Sequence, residues 1–175
     1  MLKHLSVVMA LVMAASAAGD LVVGRAAPDI TLSGKRGGRA GGGKWSSTEI
    51  GGKTTLLFYV DPDKRDLNEH VEEAIDAEDF PREAFGSIAV INMEATIIPN
   101  WVLSKLINAK QKKYPRTVYV YDKDKVLVKE WGLEDNSYGF VLFDRNGHVL
   151  FWRAGKLSQD ETDTLVALIR GSIEE

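Results

Sequence analysis

Two stretches, TTLLFYV at 54–60 and SIAVIN at 87–92, are apolar or β-branched at nearly every position. A strand with one wet face alternates apolar and polar side chains, so strands without alternation have to be covered on both faces. Between them Leu67, Val71, Ala74 and Ile75 recur at helical spacing, behind Asp66 and Glu69, which have the form of a capping box without the usual Ser or Thr. Asp61-Pro62-Asp63 ends the first strand, and a helix running to about Ala77 ends before Phe80-Pro81. Strand, helix and buried strand make a βαβ unit. A sheet buried on both faces needs helices above and below it, which makes the chain α/β.

The remainder extends this unit. Trp101, Val102, Leu106 and Ala109 share one face of a helix starting at Asn100. Lys110, Lys112 and Lys113 suit its carbonyl end, where they complement the helix dipole, and Tyr114-Pro115 stops it. TVYVY at 117–121 is a strand closed by Asp122-Lys123-Asp124, whereas 126–131 is too short for periodicity to separate helix from strand. Residues 140–143 and 148–152 flank Asp144-Arg145-Asn146-Gly147, a β-hairpin in which Asn-Gly supplies the positive φ of a tight turn. Ser158 with Glu161 caps a closing helix that carries Leu165, Leu168 and Ile169 on one stripe.

Ahead of the βαβ unit the composition changes. Residues 1–17 carry Lys3 and His4, an apolar run over 5–14 interrupted only by Ser6, and the small residues Ala15-Ser16-Ala17, the pattern of a secretory signal cut near Ala17. The run is shorter than the roughly 20 apolar residues that span a bilayer. Residues 18–53 form an extended segment in which 27–32 is an edge strand kept out of helix by Pro28. SGKRGGRAGGGK at 33–44 has little to bury and a high entropy cost to fix, so it reads as a flexible loop. Gly38, Gly43 and Lys44 stand in phosphate-loop register, but Trp45 takes the place of the Ser or Thr that would hold magnesium. Residues 54–175 then make one domain. With 22 Lys and Arg against 25 Asp and Glu, the net charge of −3 gives nucleic acid no electrostatic footing. There is no cysteine, which excludes disulfides, thiolate nucleophiles, Cys zinc sites and a lipid-anchored Cys.

The order of elements resembles the thioredoxin fold, and Trp131-Gly132-Leu133, FVLFD at 140–144, Asn146-Gly147 and Gly155-Lys156-Leu157-Ser158 sharpen the likeness to its secreted members. Lys44-Trp45-Ser46, Gly52-Lys53, Gln111-Lys112-Lys113-Tyr114-Pro115 and Asp144-Arg145-Asn146-Gly147 make the chain similar to the YtfJ-like family of bacterial periplasmic proteins. The resemblance implies a three-layer α/β/α sandwich with a mixed central sheet, a C-terminal hairpin and a final helix. It also implies a periplasmic or secreted protein without established activity. Active thioredoxins open the helix after the first core strand with Cys-x-x-Cys, because a helix N-terminus stabilises the attacking thiolate. This chain has Asp61-Pro62-Asp63-Lys64-Arg65-Asp66-Leu67 there, and the proline held in cis in that fold is missing near Ser137-Tyr138.

The candidate site follows from that corner. Asp61, Asp63, Lys64 and Arg65 lie at the carboxyl end of a core strand, where open α/β sheets receive ligands, and the same charges also read as a solvated helix start. Ser137 and Tyr138, with Trp131, would contact a peptide on the face that receives extended chains in thioredoxins. Trp45, Trp101, Trp131 and Trp152 each lie in or beside an apolar segment and fit a core. The spacing of Asp61, Asp63 and Asp66 is not that of an EF-hand. His70 beside Glu69, Glu73 or Asp66, and Asp61 facing Glu94, are the starting points for a non-thiol enzyme. The expectation is a binding module for an extracytoplasmic protein or peptide, with no cofactor, metal, nucleic acid or membrane partner. The alternatives are that enzyme or a small-anion or metal binder.

Overall fold

All seven side chains of the strand Thr54–Val60 are buried, because it sits inside a sheet that is covered on both faces. The computed structural model describes residues 19–174, so the expected signal segment lies outside the described residues. In chain order the elements are β1 (Thr31–Leu32), β2 (Gly37–Arg39), β3 (Trp45–Ser46), β4 (Thr54–Val60), α1 (Glu69–Ala77), β5 (Phe85–Asn92), α2 (Asn100–Lys113), β6 (Thr117–Asp122), α3 (Val126–Trp131), β7 (Tyr138–Phe143), β8 (Val149–Ala154) and α4 (Gln159–Glu174). The main sheet runs β2-β6-β5-β4-β7-β8, with β4, β5 and β6 mutually parallel and the others antiparallel to their neighbours.

Strand alternation divides the core in two. Leu56, Phe58 and Val60 point to one face, where α1, α2 and α4 contribute Val71, Ile75, Leu103, Ile107, Leu165 and Ile169. Leu57 and Tyr59 point to the other, covered by Val126, Leu127 and Trp131 of α3 and by Leu32, Trp45 and Ile50 of the N-terminal segment. Trp131 is anchored there: its indole N–H donates to the Pro28 carbonyl at 2.8 Å and its ring lies 5.9 Å from that of Phe143.

Residues 126–131 are helical because Asp122 caps them from the end of β6. Its buried carboxylate accepts the backbone N–H of Asp124 at 3.2 Å, Val126 at 2.9 Å and Leu127 at 3.0 Å, and the Tyr59 hydroxyl at 3.2 Å. Gly132 follows with φ 67°, the left-handed stop that glycine favours after a helix.

Several local expectations are corrected. The Gly-rich 33–44 stretch is not a loose loop: Gly37–Arg39 is the edge strand β2, paired with β6. A Cβ at Gly37 would stand 1.9 Å from the Tyr121 carbonyl oxygen, so glycine is what lets the two backbones approach. Arg36 and Arg39 are held in ion pairs with Glu130 and Glu49. In keeping with the rejected phosphate loop, strand β3 and not a helix follows Lys44. Within 27–32 only Thr31–Leu32 is strand, paired with β3 outside the main sheet.

Helix α1 begins at Glu69, not behind an Asp66 cap. Its N-cap residue, Asn68, turns its side chain away to bond Gly155 O and Leu157 N, both at 2.9 Å. Helix α2 buries Leu103 and Ile107, leaving Trp101 66% exposed with the Lys105 ammonium 5.1 Å from its ring centroid. At the hairpin only Gly147 takes positive φ, 81°, and the register shifts between Leu142 and Phe143. The bond from Gly147 N–H to Asp144 O at 3.0 Å closes the turn, and Asp144 Oδ1 accepts the N–H groups of Asn146 and His148, both at 2.8 Å.

Candidate functional site

The carboxyl end of β4 turns at Asp61, which starts a 3-10 turn over Pro62–Lys64. Asp61 is 3% exposed, its Oδ1 accepts the Asp63 N–H at 2.8 Å, and its own N–H donates to Ser137 O at 3.0 Å. Burial pushes its carboxyl above the ordinary aspartate range, against the pull of the Asp63 N–H. Arg65 donates to Pro62 O at 3.1 Å and stands 3.5 Å from Asp66, while Lys64 is exposed. Asp61, Asp63, Lys64, Arg65 and the Ser137 backbone thus meet in one corner.

Two residues at this corner, Thr96 and Ile97, carry no signal in the sequence, and Trp101 reads there as core. Thr96 Oγ1 donates to Asp63 Oδ1 at 3.1 Å and accepts the Ile98 N–H at 3.1 Å, which ties the segment after β5 to the turn after β4. The next residue, Ile97, is 99% exposed, and Trp101, in the first turn of α2, is also largely in water. The Thr96 bond therefore sets the exposed Ile97 next to the acidic and basic groups of the corner, with the exposed Trp101 four residues further along the chain.

Tyr138 faces inward. It is 1% exposed, and its hydroxyl donates to Glu72 Oε1 at 2.7 Å while Lys110 Nζ donates to Glu72 Oε2 at 2.6 Å. Burial and the adjacent Glu72 carboxylate push the Tyr138 phenol well up, so it stays a neutral donor. This chain of bonds spans a cavity of about 540 Å³ between α1, α2 and the sheet, walled by Phe58, Ile75, Phe85, Ala89, Leu103 and Ile107. The lysines at the end of α2 hold the two helices together, since Lys113 also pairs with Glu69 at 3.2 Å.

His70 is not oriented by a carboxylate. Its Nε2 donates to the Leu157 carbonyl at 3.0 Å and docks α1 on the loop before α4. Glu94 is exposed on a 3-10 turn, while Asp61 directs a carboxylate oxygen to its own turn. Among the described residues no three His, Asp or Glu side chains gather to hold a metal ion. Of the four tryptophans, Trp45 and Trp131 are core, Trp152 is partly buried and Trp101 is outside.

A family model described as a bacterial protein of unknown function, YtfJ_HI0045, matches residues 37–172. The chain belongs to that family. Its relatives include an uncharacterised protein of Haemophilus influenzae, 25% identical over 130 residues, covering 73% of this chain and 71% of the other. The uncharacterised protein YtfJ of Escherichia coli is 22% identical over 129 residues, covering 72% and 70%. Solved structures establish a thioredoxin-like fold. One from Bacteroides thetaiotaomicron, assigned as a protein disulfide isomerase, has a TM-score of 0.63 at 18% identity over 89% of this chain and 92% of its own. The exposed lipoprotein thioredoxin of Streptococcus pneumoniae has a TM-score of 0.56 at 11% identity over 81% and 99%. This YtfJ-family chain keeps that architecture with no cysteine anywhere in its sequence, which fits the lack of thiol redox chemistry. No helix among the described residues is long and apolar enough to cross a membrane.

Proposed function

We infer that this protein is an extracytoplasmic binding module that receives an extended segment of another protein at the corner formed by Asp61, Asp63, Lys64, Arg65, Thr96, Ile97 and Trp101. The observation that carries the reading is the exposure of Ile97, next to the Thr96 that bonds Asp63 at the end of β4, with Trp101 also exposed four residues on. Large apolar side chains left in water beside fixed charges are what a partner's apolar residues cover, with the charges forming the rim. Asp61 holds the turn shape through bonds within the turn and to Ser137, which preorganises the surface without using its outward charges. The N-terminal pattern of a secretory signal and the resemblance to periplasmic proteins support the compartment.

The reading is tested by NMR titration of the mature chain with extended peptides that pair an aliphatic or aromatic residue with acidic neighbours. The amides of 63–65 and 96–101 shift on binding, and the shifts are lost in the double variant Ile97→Ser, Trp101→Ala. Shifts confined to other surfaces, or undiminished in that variant, contradict it.

A further inference from the structure

The cavity beneath α1 and α2 has its own chemistry, separate from the corner. Its walls are hydrocarbon and aromatic, and its central polar group, Glu72, is already satisfied by Tyr138 and Lys110. Basic side chains collect instead at one mouth, beside a single ion-paired aspartate, Asp79. Lys53, Arg82 and Arg116 line the cavity there, placed just ahead of β4, β5 and β6, so the amino ends of the three parallel strands bring three cations to one edge. Arg116 pairs with Asp79 at 3.2 Å and donates to Phe80 O at 2.6 Å. Lys53 reaches only a carbonyl, that of Arg82, at 3.3 Å, and among the described residues neither Lys53 nor Arg82 forms an ion pair with a carboxylate.

We propose that this cavity binds a single-chain anionic amphiphile, its hydrocarbon tail lying between α1, α2 and the sheet and its carboxylate or phosphate head held by Lys53, Arg82 and Arg116. The volume of about 540 Å³ is within the roughly 300–1,000 Å³ of small-molecule sites. The apolar walls offer a hydrocarbon tail dispersion contacts, and guanidinium groups match carboxylate and phosphate oxygens in a planar fork. A neutral polar ligand finds the Tyr114 hydroxyl inside but little else to bond, and a cationic head meets Lys53 and Arg82, which no carboxylate pairs among the described residues, while Asp79 is already engaged by Arg116.

The test titrates the mature protein with dodecanoate, dodecyl phosphate, dodecanol and dodecyltrimethylammonium, each below its micelle concentration, by calorimetry and by methyl NMR. One or both anions bind one per chain, and which of them does so distinguishes a carboxylate head from a phosphate head. The tail gives nuclear Overhauser contacts to the Ala89 and Ile107 methyl groups. The neutral and cationic chains bind at least about tenfold more weakly, the scale of one charged hydrogen bond lost. Lys53→Ala with Arg82→Ala weakens the anions about tenfold and leaves dodecanol unchanged. Ile97→Ser with Trp101→Ala leaves anion binding as it was, which separates this site from the peptide corner. Absence of anion binding, equal binding of dodecanol or dodecyltrimethylammonium, or missing contacts to Ala89 and Ile107 overturns the proposal; the contacts are read on the unaltered protein, so no variant has to fold for the test to decide.

Discussion

Replacing Asp122 by alanine removes the one buried carboxylate that joins β6, α3 and β4. In the native protein it accepts three backbone N–H groups and the Tyr59 hydroxyl, and Tyr59, Val126 and Leu127 are themselves buried. Truncation orphans the N–H groups of Val126 and Leu127 and the phenol, each at about 1–3 kcal/mol, and the first turn of α3 recovers part of this by loosening toward water. The expected loss is about 3–5 kcal/mol, a large share of the roughly 5–15 kcal/mol that holds a domain folded. Tyr59→Phe alone deletes a single hydroxyl and costs about 1 kcal/mol. The double variant lacks the orphaned phenol, so it is less destabilised than the sum of the two single changes by about 1 kcal/mol. Urea unfolding followed by circular dichroism reads all four corners of this cycle. An Asp122→Ala loss below about 1 kcal/mol, or strictly additive single changes, refutes the capping role.

Other outcomes follow from the same geometry. Gly37→Ala drives a Cβ into the Tyr121 carbonyl at a φ of 130°, so β2 leaves the sheet and amide exchange accelerates at 37–39, whereas Gly41→Ala, with open space around it, stays within about 0.5 kcal/mol of the parent. Equal exchange in the two variants contradicts the edge-strand assignment. Asp61 has its carboxyl pKa raised by burial in the folded state, so folding takes up a proton between the unfolded and folded values, and stability falls as pH rises through that window. Asp61→Asn, which keeps an acceptor for the Asp63 N–H, therefore melts higher than the parent at pH 7, and the gain vanishes below the carboxylate range. A melting difference identical at pH 7 and pH 3 rejects the burial argument.

The parts of the fold legible in the sequence are those fixed by local pattern. Continuous apolar runs gave β4 and β5, Asn146-Gly147 gave the hairpin, and Ser158 with Glu161 gave the start of the last helix. Strand β2 stayed hidden because its glycines look like chain freedom until β6 lies against them; their role is a close approach between segments far apart in sequence. In α2 the adjacent Leu106 and Ile107 allow two apolar faces about 100° apart, and packing on the sheet selects the one with Leu103, which leaves Trp101 outside. Ile97 belongs to no periodic segment, and of the pair Ile97-Ile98 only Ile98 packs inward. Of the candidate residues, the acidic and basic corner was readable from its place after β4. The inward turn of Tyr138 was not, because its partner Glu72 comes from a different element. A cavity volume has no sequence signature, since it depends on how far α2 stands from the strands.

The central claim is that the cysteine-free corner receives another chain. A benzophenone amino acid placed at position 97 and photoactivated in the cells that make the protein tests it directly, with position 146, in the exposed hairpin turn at the opposite end of the sheet, as the control. The expected result is a discrete protein adduct from 97, absent from 146 and lost when Lys64→Ala and Arg65→Ala are added. Adducts of equal strength from both positions, or none from 97, contradict it.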